Sequence, residues 1–199
     1  MSYRPRAGAA QLNRGALDSD ATAILSMSSL PLVRVARPQL EPSSPFFYGY
    51  IAGESTTLVM LHRIDDSLRL DGYEVFRKSD VTALDSTFDK KLFYERVAQL
   101  KKFAPLTPPG IDLTAMPSLL RSVQSHFPLL VIHRERIAPD ECEVGQLKLS
   151  GDGSYSLALI TPEAAWESEP RRFRYDDVTR VGFGAEYEDT LARLAGVAV

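Results

Sequence analysis

The sequence predicts an α+β protein, mainly β, made of two tandem small barrels that are each flanked by short helices. Three observations lead to this prediction: a ten-residue segment that recurs, short β-prone segments separated by turn residues, and amphipathic segments in both halves. The expected organisation, in chain order, is a disordered arm at residues 1–19, a first repeat at 20–103, a proline-rich linker at 104–117 and a second repeat at 118–199.

The recurring segment is VFRKSDVTAL at residues 75–84, and it returns as RFRYDDVTRV at residues 172–181. Phe, Arg, Asp, Val and Thr occupy the same places in both copies, at a constant offset of 97 residues. Each copy is typical of a strand, a polar corner and a second short strand. Matches further upstream, such as Gly49 with Gly145, extend the duplication to roughly 80 residues. Chance similarity of two β-rich halves is the alternative explanation.

Each repeat contains five β-prone segments that are bounded by Gly, Pro, Asp and Ser. The predicted strands are residues 32–37, 47–52, 58–64, 68–77 and 81–84 in the first repeat, and 129–137, 145–149, 155–160, 171–175 and 178–181 in the second. The Gly151-Asp152-Gly153 segment predicts a tight hairpin turn. Five short strands with a sharp corner before the last indicate a small, strongly bent sheet.

Apolar residues at a period of 3.6 predict helices around these strands. The helical segments are residues 20–30, 92–103, 118–127 and 185–195. Pro31 and Pro128 follow the helices that precede the two sets of strands, and a proline stops a helix. The linker holds Pro105, Pro108 and Pro109, which stiffen it. The first 19 residues show no sustained apolar period, which predicts disorder.

Composition narrows the class of protein. A hydrophobic content of 44% with 25% charged residues is ordinary for a globular domain. The formal net charge of −3 lowers the expectation of nonspecific nucleic-acid binding. Cys142 is the only cysteine, so no disulfide forms within the chain, and no apolar run is long enough to cross a bilayer. We therefore expect a cytoplasmic protein that does not contact membranes.

The helix followed by five short strands resembles the Sm-like branch of the SH3-like barrels. Members of that family carry a glycine early in the second strand, as Gly49 and Gly145 do here. The apolar residues 58–61 resemble the third strand, and residues 77–81 and 174–178 resemble the arginine-containing corner. The resemblance covers most of residues 20–182. It implies two Sm-like barrels in tandem, with the last strand of one repeat pairing with the fourth strand of the other.

This chain departs from the family where Sm proteins bind RNA. Those proteins use an aspartate and an asparagine before the third strand, together with an arginine-glycine corner. The corresponding loops, residues 55–57 and 151–153, contain no asparagine, and Lys78 and Tyr175 replace the corner glycine. The resemblance therefore favours the fold more than it favours RNA binding.

Residues that would support catalysis or metal binding do not form a recognisable pattern. His62, His126 and His133 lack ligand spacing with one another. Cys142 lies among acidic residues, which raise the pKa of a thiol and disfavour a nucleophile. No glycine-rich phosphate loop and no nucleophile elbow is present. We expect no enzyme activity, no catalytic residue, no metal and no cofactor.

The candidate binding residues lie at the two corners, where basic and aromatic side chains can contact phosphate and stack on a base. They are Arg77, Lys78, Arg171, Arg172, Arg174 and Tyr175. Nearby acidic residues such as Glu167 and Asp176 favour the alternative of a solvated, internally paired strand face.

Two functions remain as hypotheses. The first is a noncatalytic interaction module whose exposed strand edges bind another, unidentified protein. The alternative is single-stranded RNA binding through the corner arginines. A small-molecule role in the groove between the repeats has no supporting residue constellation. For the assembly we expect a monomer or a homodimer, because one edge pairing can be made within the chain.

Overall fold

The computed structural model describes residues 30–197, which form ten strands and three α-helices. The predicted arm and the predicted helix at 20–30 lie outside the described residues, except for Leu30. In the first half the elements are β1 (Leu32–Ala36), β2 (Phe46–Glu54), β3 (Leu58–Ile64), β4 (Leu70–Arg77), β5 (Ala83–Asp85) and α1 (Lys91–Lys101). They continue with α2 (Met116–His126), β6 (Leu130–Arg134), β7 (Ala138–Gly151), β8 (Ser154–Leu159), β9 (Arg171–Arg174), β10 (Arg180–Phe183) and α3 (Glu186–Leu194).

The strands form one open sheet in the order β5-β1-β2-β3-β4-β10-β6-β7-β8-β9, and every pairing is antiparallel. The prediction of an α+β, mainly β protein is confirmed. The first five strands in this order and the last five follow the same path, since β10 and β6 to β9 correspond to β5 and β1 to β4. Antiparallel pairing of β4 with β10 joins the two halves. The expected pairing between the last strand of one repeat and the fourth strand of the other is thereby confirmed.

The two polar corners are matched 3-10 turns at Lys78–Asp80 and Tyr175–Asp177. The paired glycines also have matched roles. A Cβ at Gly49 would overlap the carbonyl oxygen of His62, and one at Gly145 would overlap that of Ala158. Only glycine therefore lets the second and third strands of each half approach this closely.

The largest hydrophobic core belongs to both halves. Met60 and Val75 from the first half pack in one buried cluster with Leu130, Ile132 and Val181 from the second half. The inner face of α2 joins the same cluster through Met116, Leu119, Leu120 and Val123. The predicted linker is irregular until α2 begins, and it also packs Ile111 and Leu113 against this core. The halves are thus joined by shared burial as well as by strand pairing.

The terminal helices of the two halves cover smaller clusters. Helix α3 buries Leu191 and Ala192 against Leu129 and Ile160. In α1, Val97 is buried, whereas Leu92, Phe93 and Leu100 are exposed. Within residues 30–197 no helix combines the length and the hydropathy that a bilayer crossing requires.

Candidate functional site

Strand β9 forms one end of the sheet and carries three of the sequence-predicted residues. Arg171, Arg172 and Arg174, hereafter the basic edge, are all exposed. Arg171 pairs with Glu167 at 2.9 Å, Arg174 pairs with Asp176 at 3.2 Å, and Arg172 bonds the Ser154 hydroxyl at 2.7 Å. Both partners of the two ion pairs are exposed, so these contacts hold the arginines only weakly.

A cavity of about 490 Å³ adjoins the basic edge. Its lining consists of Arg134, Arg172, Phe173, Arg174, Asp177 and residues of the 152–154 turn. The Phe173 ring is already engaged, because the Arg134 guanidinium lies 4.8 Å from its centroid and Tyr155 stacks against it at 5.6 Å. The arginines favour anionic groups in this cavity. The aromatic ring offers little free face for a base.

The other three predicted residues lie in different surroundings. Tyr175 is buried, and its hydroxyl bonds Ser150, so its ring is not accessible for stacking. Lys78 pairs with Glu54 at 2.8 Å. Arg77 contacts the second corner, but its guanidinium is occupied by two main-chain carbonyl oxygens at 2.6 Å. The structure therefore leaves only the basic edge as an exposed group of the predicted residues.

Charged side chains that the sequence analysis did not select converge where the halves meet. They form the junction cluster, which consists of Arg37, Glu41, Glu74, His133, Glu135 and Arg180. Arg37 has 0% exposure and bonds both carboxylate oxygens of Glu135, at 3.2 and 3.3 Å. Arg180 contacts Glu135 at 3.0 Å and Glu74 at 3.2 Å. Each buried charge is thus paired, as a low-dielectric interior requires.

The junction cluster shifts the pKa of several of its members. Burial raises the pKa of Glu41 to about 7. Burial also acts to raise the pKa of Glu135, but the bonds and charge of Arg37 outweigh it and hold that pKa at about 2. Burial, and then the charge of Arg180, lowers the pKa of His133 to about 4. His133 is therefore neutral at pH 7 and accepts a bond from Arg180 at Nδ1, which places its proton on Nε2.

Two cavities share the side chains of Arg63 and Arg180. The larger, about 500 Å³, also contains Glu41, Asp65 and Tyr94. The smaller, about 200 Å³, lies between the sheet and the start of α3, and we call it the junction cleft. Its lining includes Glu74, Val131, His133, Cys142, Gly182 and Glu188.

Two titratable groups in the junction cleft have raised pKa values. Burial raises the pKa of Glu188 to about 7. Cys142 is an exposed residue, yet partial loss of solvation beside the cleft raises the pKa of its thiol. The acidic neighbours in the sequence predict this direction for Cys142, but the loss of solvation is the larger cause. Within residues 30–197 no three His, Cys, Asp or Glu side chains lie close enough together to hold a metal ion.

One signal in the sequence points to the junction cluster. Glu74 lies between Tyr73 and Val75 in β4, and Arg180 is the first residue of β10, where apolar side chains follow it. Charged residues are almost never fully buried unless they are paired, so a charge within an apolar strand indicates a buried partner. The sequence does not reveal which partner, because Glu74 and Arg180 are 106 residues apart. Comparison of the chain with protein-family models, curated proteins and solved structures finds no match.

Proposed function

We propose that this chain is a noncatalytic interaction module, built as two tandem Sm-like small barrels, that binds an extended acidic segment of a partner protein along β9. Three features support the barrel architecture: the repeated strand order, the matched 3-10 corners and the paired glycines Gly49 and Gly145. The additional pairing of the last strand with the first in each half, β5 with β1 and β10 with β6, accords with a strongly bent sheet.

One observation carries the proposed binding mode. Strands β4 and β9 are equivalent in the repeat, and the outer edge of β4 is occupied by β10. Strand β9 pairs with β8 and has no second neighbour among the described residues. Its outer main-chain N–H and C=O groups are therefore available to an added strand, which is a common mode of peptide recognition. A partner strand would pair with β9 in the way that β10 pairs with β4.

The basic edge determines the charge of the expected partner. Arg171, Arg172 and Arg174 are exposed along the same strand, so an acidic segment gains charge-assisted contacts as well as main-chain bonds. The same arginines disfavour uncontrolled pairing between copies of the chain, since charged edge residues oppose edge-to-edge aggregation. An acidic extended peptide can therefore bind both the main chain of β9 and its arginines.

To test this proposal, the full chain is titrated with a peptide of alternating Glu and Val. Binding is measured from the chemical shifts of the amide NMR signals of β9. We expect saturable shifts at residues 171–174, and we expect a Glu-to-Lys version of the peptide to lose them. Arg171→Glu with Arg172→Glu should abolish binding. Arg96→Glu, at an exposed position on α1, is the matched control and should not. Shifts that are equal for both peptides, or no shifts, would exclude this mode.

Single-stranded RNA is the second candidate ligand, and the cavity beside the basic edge favours it. Arg172 bonds a hydroxyl there and no carboxylate of the described residues, so its charge is available to a phosphate. A mixed RNA pool should then bind at low salt and dissociate steeply as salt rises. No binding at low salt would remove this alternative. Competition between RNA and the acidic peptide would place both on the same edge.

A further inference from the structure

Glu74 lines the junction cleft, and one of its carboxylate oxygens has no hydrogen-bond partner among the described residues. Glu74 is 6% exposed, and its Oε1 accepts bonds from Arg63 and Arg180, each at 3.2 Å. Its Oε2 is buried and has no hydrogen-bond partner among the described residues. A buried polar atom without a hydrogen bond is costly even when the charge of its group is paired, so an oxygen in this position indicates a group that the described residues do not supply.

A glycine forms the floor of the cleft beside this oxygen. Gly182 lies between Glu74 on β4 and Val131 on β6 in the register of the sheet. A Cβ at Gly182 would lie 3.5 Å from Oε2 of Glu74 and 3.4 Å from Cβ of Val131. Those are ordinary contacts, so the backbone does not require glycine here. Glycine inside a strand weakens it, and it often marks the close approach of a ligand.

The groups around the cleft indicate the charge of the ligand. Asp71 and Glu74 contribute carboxylates, and the buried carboxyl group of Glu188, 6% exposed, adds further acceptor oxygens. The two guanidinium groups in the lining are already engaged, since Arg180 also pairs with Glu41 and Glu135 and Arg63 pairs with Glu74. Burial is the main cause of the raised pKa of Glu188, and the negative charge of Glu74 adds to it. A ligand that donates N–H bonds and carries positive charge matches this environment.

We propose that the junction cleft binds the primary ammonium group of a small organic ligand, with Oε2 of Glu74 as the acceptor and Gly182 as the floor. The volume of about 200 Å³ exceeds what one water molecule needs and suits a short alkylamine. A metal ion does not fit the described donors, because no three of them are close enough together. This site is separate from β9, so the proposal does not depend on the proposed strand-addition function.

The test uses n-butylammonium as the ligand and the full chain, with the amide NMR signals of residues 182 and 188 as the readout. We expect saturable shifts with the natural chain. The affinity of Gly182→Ala for butylammonium should be at least about tenfold weaker, because its added methyl group fills the floor of the cleft without a steric clash. Gly151→Ala is the matched control, because a Cβ at Gly151 meets nothing within 4 Å, and it should bind like the natural chain. Butan-1-ol, which lacks the charge, and tetramethylammonium, which lacks the N–H donors, should bind at least about tenfold more weakly.

Three outcomes would overturn this proposal. The first is no saturable shift with butylammonium at concentrations up to tens of millimolar. The second is equal affinity for the natural chain and Gly182→Ala, which would place the amine elsewhere. The third is equal affinity for butylammonium and tetramethylammonium, which would exclude a hydrogen bond to Glu74. The amide spectrum of Gly182→Ala without ligand checks that this variant keeps the fold, and Gly151→Ala controls for a glycine-to-alanine change away from the cleft.

Discussion

Arg77 donates a hydrogen bond from Nε to the carbonyl oxygen of Val178 at 2.6 Å, so a side chain of the first half holds the backbone of the second. A second N–H of Arg77 bonds the carbonyl oxygen of Tyr175, also at 2.6 Å. Arg174 occupies the equivalent place in the second half, yet it is exposed and pairs with exposed Asp176. The corner arginine of the repeat therefore has a structural role as Arg77, where the two halves meet, whereas as Arg174 at the edge of the sheet it is accessible to a ligand.

Arg77→Ala should destabilise the protein by about 2–3 kcal/mol, because two part-buried carbonyl oxygens lose a charged donor. Arg174→Ala is the matched control and should change the free energy of unfolding by less than about 0.5 kcal/mol, since Arg174 is exposed. Urea unfolding of both variants measures the difference. Equal effects would mean that the corner arginine has no special role at the junction.

Arg37→Met should cost about 3–5 kcal/mol, because it leaves the buried carboxylate of Glu135 with fewer cationic partners. Arg134 is the equivalent residue in the second half and pairs with Glu143, but its side chain is 17% exposed. Arg134→Met should therefore cost less. Chemical denaturation of the two variants tests this order, and a larger loss for Arg134→Met would contradict it.

Stability should depend on pH through Glu188. Burial raises its pKa from 4.5 to about 7, so the folded chain retains a proton that the unfolded chain releases. The contribution of this group is fully present below pH 4.5 and is lost as pH rises to about 7. Glu188→Gln remains uncharged and can still accept the bond from the Ala185 N–H. Relative to the natural chain, this variant should gain about 1–3 kcal/mol between pH 4.5 and pH 8.

Unfolding curves of the natural chain and Glu188→Gln at the two pH values measure that gain. His133 has a lowered pKa and acts in the opposite direction, with stability lost as pH falls below 6.5 towards about 4. Its effect is present in both proteins and cancels in the comparison. A stability difference that does not change with pH would show that Glu188 titrates normally.

We expect a monomer or a dimer in solution. One of the edge pairings is already made within the chain by β4 and β10. Strand β9 has no second neighbour within residues 30–197, and it carries three arginines. Light scattering coupled to size exclusion should give a mass near 22.1 kDa or twice that value. A stable species of six or more chains would show that β5 and β9 pair between molecules.

The repeat allowed much of the fold to be predicted, because strands with an apolar face and turns with glycine leave a local pattern. The two polar corners follow from the repeat, and the tight turn at residues 151–153 follows from its glycines. The pairing of the last strand with the other half follows from the resemblance to Sm-like barrels. Strand β7 was predicted at 145–149 but spans Ala138–Gly151. Its first part pairs with β6 while residues 139–142 are exposed, so no apolar pattern marks it.

The site was less predictable for a physical reason. The basic edge is visible in the sequence as a cluster of arginines, whereas the junction cluster depends on pairs such as Arg37 with Glu135, which are 98 residues apart. The burial of Tyr175 also depends on contacts between residues that are distant in the sequence. Its ring packs in the core that the two halves share, next to Tyr155 at 5.1 Å. Only the three-dimensional arrangement decides which corner side chains reach solvent.

Strand β10 lies in the middle of the sheet but follows the other nine strands along the chain. Synthesis from the N-terminus therefore produces both of its neighbours, β4 and β6, before the strand that joins them. Until residues 180–183 emerge from the ribosome, β4 and β6 each present an edge that has no partner at this position. Unpaired edges of this kind promote misfolding and aggregation. The nascent chain is consequently most vulnerable just before its central strand is made.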